Sequence, residues 1–271
     1  MAKIPPKKDL NMIMEDLTVP MEFRDYLGYS GLGHKCPRYL WYSFRWCYDR
    51  DIPLRTQRIF GRGNIEEPRV AADMNRVGCT IKNKNTEVIG ITGHAKGHID
   101  GIAIDVPTGG TKSHLFECKT MKHSSYIKYL KLGLKLYSPP YWQQIHSYMG
   151  HLGLKDCLYV VTNKDTEERD YQRIKFCKET FDDGERKALD IITSEFPPER
   201  MIMASRIYFE CKYCDAYEQC WNDKPYKVTC RTCKSCDFED GGFVYCNKHE
   251  VMLSGEAQLK ACSDYVLDNP E

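Results

Sequence analysis

The chain has 271 residues, of which 42% are hydrophobic and 28% are charged, and its formal net charge at pH 7 is +1. This composition is that of a globular protein and excludes an extended disordered one. A chain so close to neutral has no general field that attracts nucleic acid, so DNA binding would require a local basic patch. No apolar run approaches the roughly 18–20 residues of a membrane span, and the first residues, MAKIPPKKDL, lack the apolar core of a secretory signal. We therefore expect a cytoplasmic location.

Helical and strand-like segments alternate along the chain. The patterns typical of helices cover residues 9–27, 34–50, 60–78, 141–153 and the region near 182–195. The patterns typical of strands predict two antiparallel strands within 86–106 and further strands at SHLFECKT (113–120), at 156–164 and in YQRIKFCKE (171–179). This order of elements predicts an α/β fold with a central mixed β-sheet flanked by helices.

Cysteine is the unusual residue, with 14 copies. Disulfides are rare in a chain without a secretory signal, and clustered cysteines there more often bind metal. Six cysteines are scattered through the first two thirds of the chain. The other eight crowd the last quarter at positions 211, 214, 220, 230, 233, 236, 246 and 262.

The stretch LFECKTMK (115–122) places Glu117 and Lys119 one residue apart at the end of a predicted strand. Because side chains alternate along a strand, both point to the same face, while Cys118 points to the other. Taken alone, Glu-x-Lys is most simply a surface ion pair. However, Asp100 in HIDG precedes this strand by one strand, so the three side chains are expected to converge.

This set suits the hydrolysis of phosphodiester bonds. A hard divalent ion such as Mg²⁺ or Mn²⁺ takes oxygen ligands, which Asp100, Glu117 and the backbone carbonyl of Cys118 can supply. Such an ion polarises the scissile phosphate and lowers the pKa of a bound water, while Lys119 can orient that water and balance the developing charge.

The pattern Asp100-x16-Glu117-Cys118-Lys119 resembles the PD-(D/E)XK nuclease superfamily, in particular its RecB-type and bacteriophage lambda exonuclease-like branch. The resemblance covers roughly residues 28–165 and implies a restriction-endonuclease-like core. It implies that Asp100, Glu117 and Lys119 are catalytic, and that a glutamate four residues after Gly63 completes the metal site directly or through water. That glutamate is Glu67, with Glu66 left open as the alternative. The resemblance also implies that Gln144 and Tyr148 orient the attacking water or contact DNA phosphates.

CKYCDAYEQC gives the spacing Cys211-x2-Cys214-x5-Cys220, which leaves a four-coordinate site one ligand short, and Cys36 is the expected fourth. Four thiolates permit zinc or an iron–sulfur cluster. One cysteine before the core and three after it resemble the iron–sulfur-stapled nucleases of the AddB and CRISPR-adaptation types. That resemblance implies a [4Fe–4S] cluster.

The last residues contain a second group of potential metal ligands, Cys230-x2-Cys233-x12-Cys246-x2-His249, with a spacing typical of a zinc ribbon. Cys262 is an alternative fourth ligand, and Cys236 also competes for a place. We therefore predict a nuclease domain with an iron–sulfur staple at 1–224 and a zinc-binding module at 225–271.

Basic and aromatic residues follow the Glu-x-Lys strand. They could track a DNA backbone and stack on bases, although a solvated helix face explains them equally well. The lysines are Lys122, Lys128, Lys131 and Lys135, and the tyrosines are Tyr126, Tyr129 and Tyr137. For Arg38 and Arg45 we expect packing of their helix rather than phosphate binding.

Together these features predict a Mg²⁺- or Mn²⁺-dependent deoxyribonuclease, most simply an exonuclease acting on DNA ends or single strands. The lambda-like resemblance implies a role in phage DNA recombination, replication or processing, with recombination or replication proteins as partners and a bacterial host cytoplasm as location. The alternatives are a nucleic-acid-binding scaffold that does not cut and a sequence-specific endonuclease that cuts closed circles at fixed positions.

Overall fold

The computed structural model describes residues 10, 12–14, 17–20, 24–90, 92–107 and 112–267. In chain order its strands are Thr18–Pro20 (β1), Leu27–Gly28 (β2), Asp51–Pro53 (β3), Thr80–Lys82 (β4), Glu87–Ile89 (β5), Ala95–His98 (β6), Gly101–Ile104 (β7), Ser113–Met121 (β8), Asp156–Asn163 (β9), Arg169–Lys175 (β10), Cys236–Glu239 (β11), Phe243–Cys246 (β12) and Val251–Met252 (β13). Its helices are Tyr29–Leu32 (α1), Pro37–Phe44 (α2), Leu54–Arg76 (α3), His123–Leu132 (α4), Leu134–Tyr137 (α5), Pro139–Leu152 (α6), Lys178–Thr193 (α7), Phe209–Lys212 (α8), Tyr217–Trp221 (α9) and Gly255–Gln258 (α10).

A five-stranded sheet in the order β10-β9-β8-β7-β4 forms the centre of the protein. β8 and β9 are parallel and the other neighbours are antiparallel, so the sheet is mixed. β9 reads DCLYVVTN and is buried along its whole length, as expected for a strand covered on both faces. The predicted α/β fold with a central mixed sheet flanked by helices is therefore confirmed.

Helices cover the two faces of this sheet. On one face, Leu115, Tyr159 and Val161 belong to the main core, together with buried residues of α1, α2, α6 and α7. On the other, Phe116, Leu158 and Val160 pack against Val70 and Met74 of α3. The alternation along β8 therefore directs residues 115, 117 and 119 toward α6, and Phe116 toward α3.

Residues 86–106 contain the predicted antiparallel pair, β5 and β6, and one further strand, β7. They form three strands that belong to two sheets: β6 pairs with β5 and, in parallel, with β2, whereas β7 pairs with β4 and β8. The chain changes sheet at Asp100, just before Gly101, whose φ is +155° and where a Cβ would collide with Ile81. Glycine therefore permits this crossing at a point where a side chain would obstruct it.

Three helix predictions were wrong in their bounds. The helix expected at 34–50 is limited to Pro37–Phe44. The helix expected at 60–78 begins six residues earlier, at Leu54, and continues through Gly61, Gly63 and Pro68 to Arg76. Within 9–27, residues 10 and 12–14 are helical, but Thr18–Pro20 and Leu27–Gly28 are strands. Among the helices in the described part of the chain, none combines the length and apolarity that a membrane crossing requires.

The cysteine-rich last part of the chain forms a small sheet, β11-β12-β13, that packs against the core. Phe238 lies 4.8 Å from Phe44 between ring centroids, and Gly242 donates a backbone hydrogen bond to Thr92. The guanidinium of Arg231 is fully buried and donates to the backbone oxygen of Phe44 at 2.9 Å. The module is therefore joined to the core through buried contacts.

Candidate active site

Glu117 and Lys119 occupy the buried middle of β8 and form an ion pair. The Glu117 side chain is only 1% exposed and that of Lys119 20% exposed. Because Glu117 Oε1 contacts Lys119 while Oε2 has no hydrogen-bond partner, one carboxylate oxygen remains available in a buried position. A buried acceptor without a partner is costly, which points to a ligand or a water at this atom.

Asp100 reaches the same place from the turn before β7. Its Oδ2 accepts a hydrogen bond from the backbone N–H of Cys118 at 2.8 Å, which anchors its carboxylate beside β8. The register pairs Gly101 with Phe116, so continuing this antiparallel register by one residue places Asp100 opposite Glu117. The structure thus brings Asp100, Glu117 and Lys119 together, with Asp100 between β6 and β7.

The two adjacent glutamates of α3 face different partners. Glu66 is buried and its Oε1 accepts from Arg169 at 2.6 Å, so it belongs to an ion pair with β10. Glu67 is half-buried, and its pKa is raised by burial and then by the nearby charge of Asp100, while Lys119 lowers it. Glu67 is therefore the glutamate on the side of Asp100 and Lys119.

Gln144 and Tyr148 extend from α6 over the same face of β8. Gln144 Nε2 donates to the Tyr148 hydroxyl at 3.3 Å, while Gln144 Oε1 is buried without a partner. Burial and the Glu117 charge both raise the pKa of Tyr148, which places its hydroxyl near that carboxylate. At Gly97 in β6 a side chain would collide with this hydroxyl, so glycine is required there.

The electrostatics of this carboxylate cleft, which we define as Glu67, Asp100, Glu117 and Lys119, favour a bound cation. Burial, followed by the charge of Asp100, raises the pKa of Glu117 from its ordinary 4.5 to about 8, despite the neighbouring ammonium. Burial lowers the pKa of Lys119, but Glu117 and Asp100 outweigh it and raise that pKa well above its ordinary value. One ammonium therefore faces three carboxylates in a partly desolvated site.

The donor set of the cleft fits a magnesium-type ion. Mg²⁺ is typically held by one or two carboxylates and keeps several waters. Among the described residues, three or more potential His, Cys, Asp or Glu ligand atoms lie within 4.8 Å of one another only at His249, Cys262 and Asp264. The carboxylate oxygens of Glu67, Asp100 and Glu117 therefore do not all lie within 4.8 Å of one another.

The four cysteines predicted for a cluster line one cavity. Cys36 begins α2 at its N-cap, and Cys211, Cys214 and Cys220 come from α8, α9 and their connection. The pKa of Cys36 is raised by burial and further by the Cys220 and Cys211 thiols, which lie near it. The donor set is all thiolate, which suits a soft metal.

A second cavity collects the cysteines of the C-terminal module. It is lined by Cys230, Cys233, Cys236, Cys246 and Cys262. His249 is not part of this lining; its Nε2 lies 3.6 Å from Cys262 Sγ and 3.3 Å from Asp264 Oδ2. In the Cys230-x2-Cys233-x12-Cys246-x2-His249 set, the position of His249 is therefore the least favourable.

Part of the predicted DNA-contacting surface is buried. Tyr126 and Tyr129 are 5% and 0% exposed, and the Tyr129 hydroxyl donates to Asp170 at 2.7 Å, so these two rings cannot stack on bases. Tyr137 is half-buried against the core. The four lysines at 122, 128, 131 and 135 are exposed, as both interpretations required.

For Arg38 and Arg45 the packing role is confirmed. Arg38 donates to the backbone oxygens of Pro197 and Pro198, and Arg45 donates to that of Ser194.

Three residues of these sites were missed from sequence. Tyr141 places its ring centroid 5.3 Å from Lys119 Nζ, and its position three residues before Gln144 on one helix face was the available signal. Tyr159 faces Glu117 across the parallel pair β8–β9, a register that sequence does not reveal. Lys187 donates to the backbone oxygens of Leu32 and His34 and so supports the loop before Cys36.

No protein-family model matches the chain, and no curated protein matches it at a significant level. Similar solved structures include an alkaline exonuclease (LHK-Exo) from Laribacter hongkongensis, 18% identical, covering 61% of this chain and 85% of that one with a TM-score of 0.47. Its complex with dAMP has the same coverage and a TM-score of 0.44. SSO0001 is 18% identical, with 78% of this chain and 91% of that one covered and a TM-score of 0.40. Similarity of this degree does not assign an activity, so function has to be inferred from the residues of the sites.

Proposed function

We propose that the protein is a divalent-metal-dependent DNA nuclease, acting as an exonuclease on DNA ends or single strands. The observation that carries this proposal is the hydrogen bond from the Cys118 N–H to Asp100, because it joins a second carboxylate to the buried Glu117–Lys119 pair. A surface ion pair would have neither the burial nor the additional acids. Carboxylates with shifted pKa values beside a lysine are typical of a catalytic site.

The side chains of the cleft divide the work. Asp100, Glu117 and the Cys118 carbonyl would hold Mg²⁺ or Mn²⁺, with Glu67 acting through a water. When bound, such an ion polarises the scissile phosphate and lowers the pKa of a coordinated water. Lys119 orients the attacking water and balances the negative charge that develops on the phosphate. Gln144 and Tyr148 hold hydrogen-bonding groups over the same face, where they position the water or a phosphate oxygen.

The test is digestion of labelled linear, nicked and closed circular duplexes and of single strands, each with Mg²⁺, Mn²⁺ or EDTA. We expect metal-dependent loss of linear DNA from its ends, while closed circles survive. Absence of cleavage on every substrate with both metals would contradict the nuclease and favour a scaffold that only binds DNA. Cutting of closed circles at fixed positions would instead identify a sequence-specific endonuclease.

We propose further that Cys36, Cys211, Cys214 and Cys220 hold a [4Fe–4S] cluster. The shared cavity and the all-cysteine donor set support it. The cluster would tie α2 to the segment around α8 and α9, whose short helices have few buried apolar residues of their own. Iron and sulfide analysis of anaerobically purified protein tests this, and colourless protein with zinc at this site would contradict it.

For the C-terminal module we propose a structural Zn²⁺ held by Cys230, Cys233, Cys246 and one further ligand. Cys262 is favoured over His249, because it lines the same cavity as the three other cysteines. Four thiolates in a small module with little core of its own fit a structural zinc site.

A further inference from the structure

A pocket with aromatic walls lies outside the carboxylate cleft, between β2, α1 and the region around α2. We name it the aromatic pocket and define it by Arg24, Tyr26, Tyr39, Ser43, Trp46 and Tyr48. Aromatic faces, hydroxyl groups and a guanidinium around one concavity form a lining suited to a flat polar ring system carrying negative charge. None of these residues contributes to the carboxylate cleft or to the two cysteine cavities except Tyr39, which borders the Cys36 cavity.

The walls of the aromatic pocket are held in place by specific contacts. The Trp46 indole N–H donates to the Arg24 backbone oxygen at 2.8 Å, and the Tyr48 hydroxyl lies 2.7 Å from Ser43 Oγ. Trp46 has φ of 56°, a left-handed backbone that is costly for a bulky side chain. Arg231 lies 4.6 Å from the Trp46 ring centroid and supports it from behind. Strain retained at a residue that lines a pocket is typical of a functional surface.

Positive charge surrounds Tyr26 at the rim of the pocket. The Arg24 guanidinium carbon and Lys96 Nζ each lie 6.0 Å from the centroid of the Tyr26 ring. Within the described part of the chain, no carboxylate forms an ion pair with either cation. Arg50, at the opposite rim, is paired with Asp215 at 2.9 Å. Among the described residues, Arg24 and Lys96 therefore offer an incoming phosphate positive charge that no carboxylate pairs, on the Tyr26 side of the rim.

The aromatic pocket is also connected to the carboxylate cleft by one strand. Gly28 of β2 is opposite Lys96 of β6, and β6 leads to Asp100 four residues later. At about 3.3 Å per residue in an extended chain, the Cα atoms of Lys96 and Asp100 are at most about 13 Å apart. A nucleic-acid strand with its scissile phosphate in the cleft would need to extend by only a few nucleotides to reach Tyr26.

We propose that the aromatic pocket binds one unstacked nucleobase of a single DNA strand while Arg24 and Lys96 contact a phosphate next to it. The proposal rests on the proposed function, since it takes the substrate to be DNA, and it adds a binding subsite at a distance from the cut. Stacking on Tyr26 tolerates any base, because every base has a π face. The pocket would thus hold the strand without imposing a sequence.

The test measures binding in EDTA, where no cleavage occurs, of a short fluorescent oligothymidylate and of a series in which one abasic site moves along it. In wild type, we expect one position, or two adjacent ones, to weaken binding about 5-fold to about 100-fold, as loss of one base–aromatic stack does. Tyr26→Ala should weaken the intact oligonucleotide by a similar factor and remove the sensitivity to the abasic site. Tyr26→Phe should behave as wild type.

Controls separate the pocket from general charge and from folding. Arg24→Gln should weaken binding, whereas Arg186→Gln, which removes the same charge from the exposed face of α7, should not. The thermal midpoint of each variant shows whether it folds. An abasic series without any sensitive position would overturn the proposal, as would a Tyr26→Ala variant that keeps the sensitivity. Dependence on Tyr26 for a free deoxynucleoside monophosphate but not for the oligonucleotide would also contradict a strand-held base.

The outcomes for the two proposals are distinguishable. If wild type digests DNA with Mg²⁺ but the abasic series is flat, only the aromatic pocket is wrong. If the series shows a sensitive position that Tyr26→Ala removes, but no DNA is digested, the pocket stands and the nuclease proposal fails.

Discussion

The carboxylate cleft and the Cys36 cavity are built in different ways. In the cleft, Glu117 and Lys119 belong to one buried strand and Asp100 is hydrogen-bonded to the residue between them, so the sheet itself assembles the site. The Cys36 cavity joins the start of α2 to two helices of four and five residues near the other end of the chain. The comparison indicates that regular packing holds the cleft together, whereas the proposed ligation would contribute directly to folding around the cysteines.

The substitution Lys119→Ala gives the strongest test of the cleft as a site that is catalytic and held together by packing. We expect cleavage to fall by about 10²–10³-fold, as for loss of one group that stabilises charge in the transition state. The thermal midpoint should change little, because loss of the ammonium raises the pKa of Glu117 further and the buried carboxyl keeps its proton. Lys128→Ala on the exposed face of α4 is the matched control. Retained cleavage would remove Lys119 from the mechanism.

Cys36→Ala tests the other half of the comparison. We expect loss of bound iron and of visible colour together with a lower thermal midpoint, because the metal joins segments that otherwise share few contacts. Cys177→Ala serves as the control, since Cys177 lies at the start of α7 and does not line the cavity. A colour and iron content equal to those of wild type would contradict Cys36 as a ligand.

Substitutions of the neighbouring glutamates of α3, Glu66 and Glu67, are expected to separate an effect on cleavage from an effect on stability. Glu67→Gln should lower metal-dependent cleavage about 10- to 100-fold, the usual effect of an outer-shell group at a metal site. Glu66→Gln should instead lower the thermal midpoint, because it weakens the buried pair with Arg169. If the two variants exchanged these effects, the assignment of Glu67 would be wrong.

In the C-terminal module, the fourth zinc ligand can be identified by comparing Cys262→Ala with His249→Ala. We expect the first to lose zinc and the second to keep it, because Cys262, unlike His249, lines the cavity of Cys230, Cys233 and Cys246. Zinc content per chain after gel filtration is the measurement. Zinc lost from the histidine variant alone would favour the original Cys230-x2-Cys233-x12-Cys246-x2-His249 set.

The smallest effect concerns pH. Because the pKa of Glu117 is about 8 when folded and ordinarily 4.5, the folded chain holds a proton that the unfolded chain releases between these values. The free energy of unfolding in EDTA should therefore fall as pH rises from about 4.5 to about 8. Mg²⁺ requires the ionised carboxylate, so the rise in thermal midpoint caused by Mg²⁺ should grow over this range. Glu117→Gln should flatten both trends, and a Mg²⁺ effect independent of pH would count against Glu117 as a ligand.

How much could be predicted depended on the range over which the residues interact. Strand β8 was predicted at 113–120, and the shared face of Glu117 and Lys119 followed from its two-residue period. The environment of Asp100 was not predictable in the same way, because two successive short strands join different sheets at Gly101. The expected placement of Asp100 one strand before β8 nevertheless agrees with the structure.

Other differences arose from tertiary packing that local pattern does not contain. Glu66 and Glu67 could not be separated, because the partner of Glu66 is Arg169 on a strand far along the chain. Tyr126 and Tyr129 alternate with lysines and read as surface residues, yet α4 packs them inward against the sheet. The cysteine spacing revealed two groups but did not decide between Cys262 and His249.

The fully buried guanidinium of Arg231 has a consequence for truncation of this protein. The ring centroids of Phe44, Trp46 and Phe238 lie 4.5–4.7 Å from its guanidinium carbon. A chain shortened at residue 224 would lack Arg231 and Phe238. Their loss would leave a cavity beside Trp46 and expose apolar surface to water. Residues 225–271 therefore cover part of the core formed by the preceding residues. Single-residue substitutions are safer than truncation for separating the roles of the two regions.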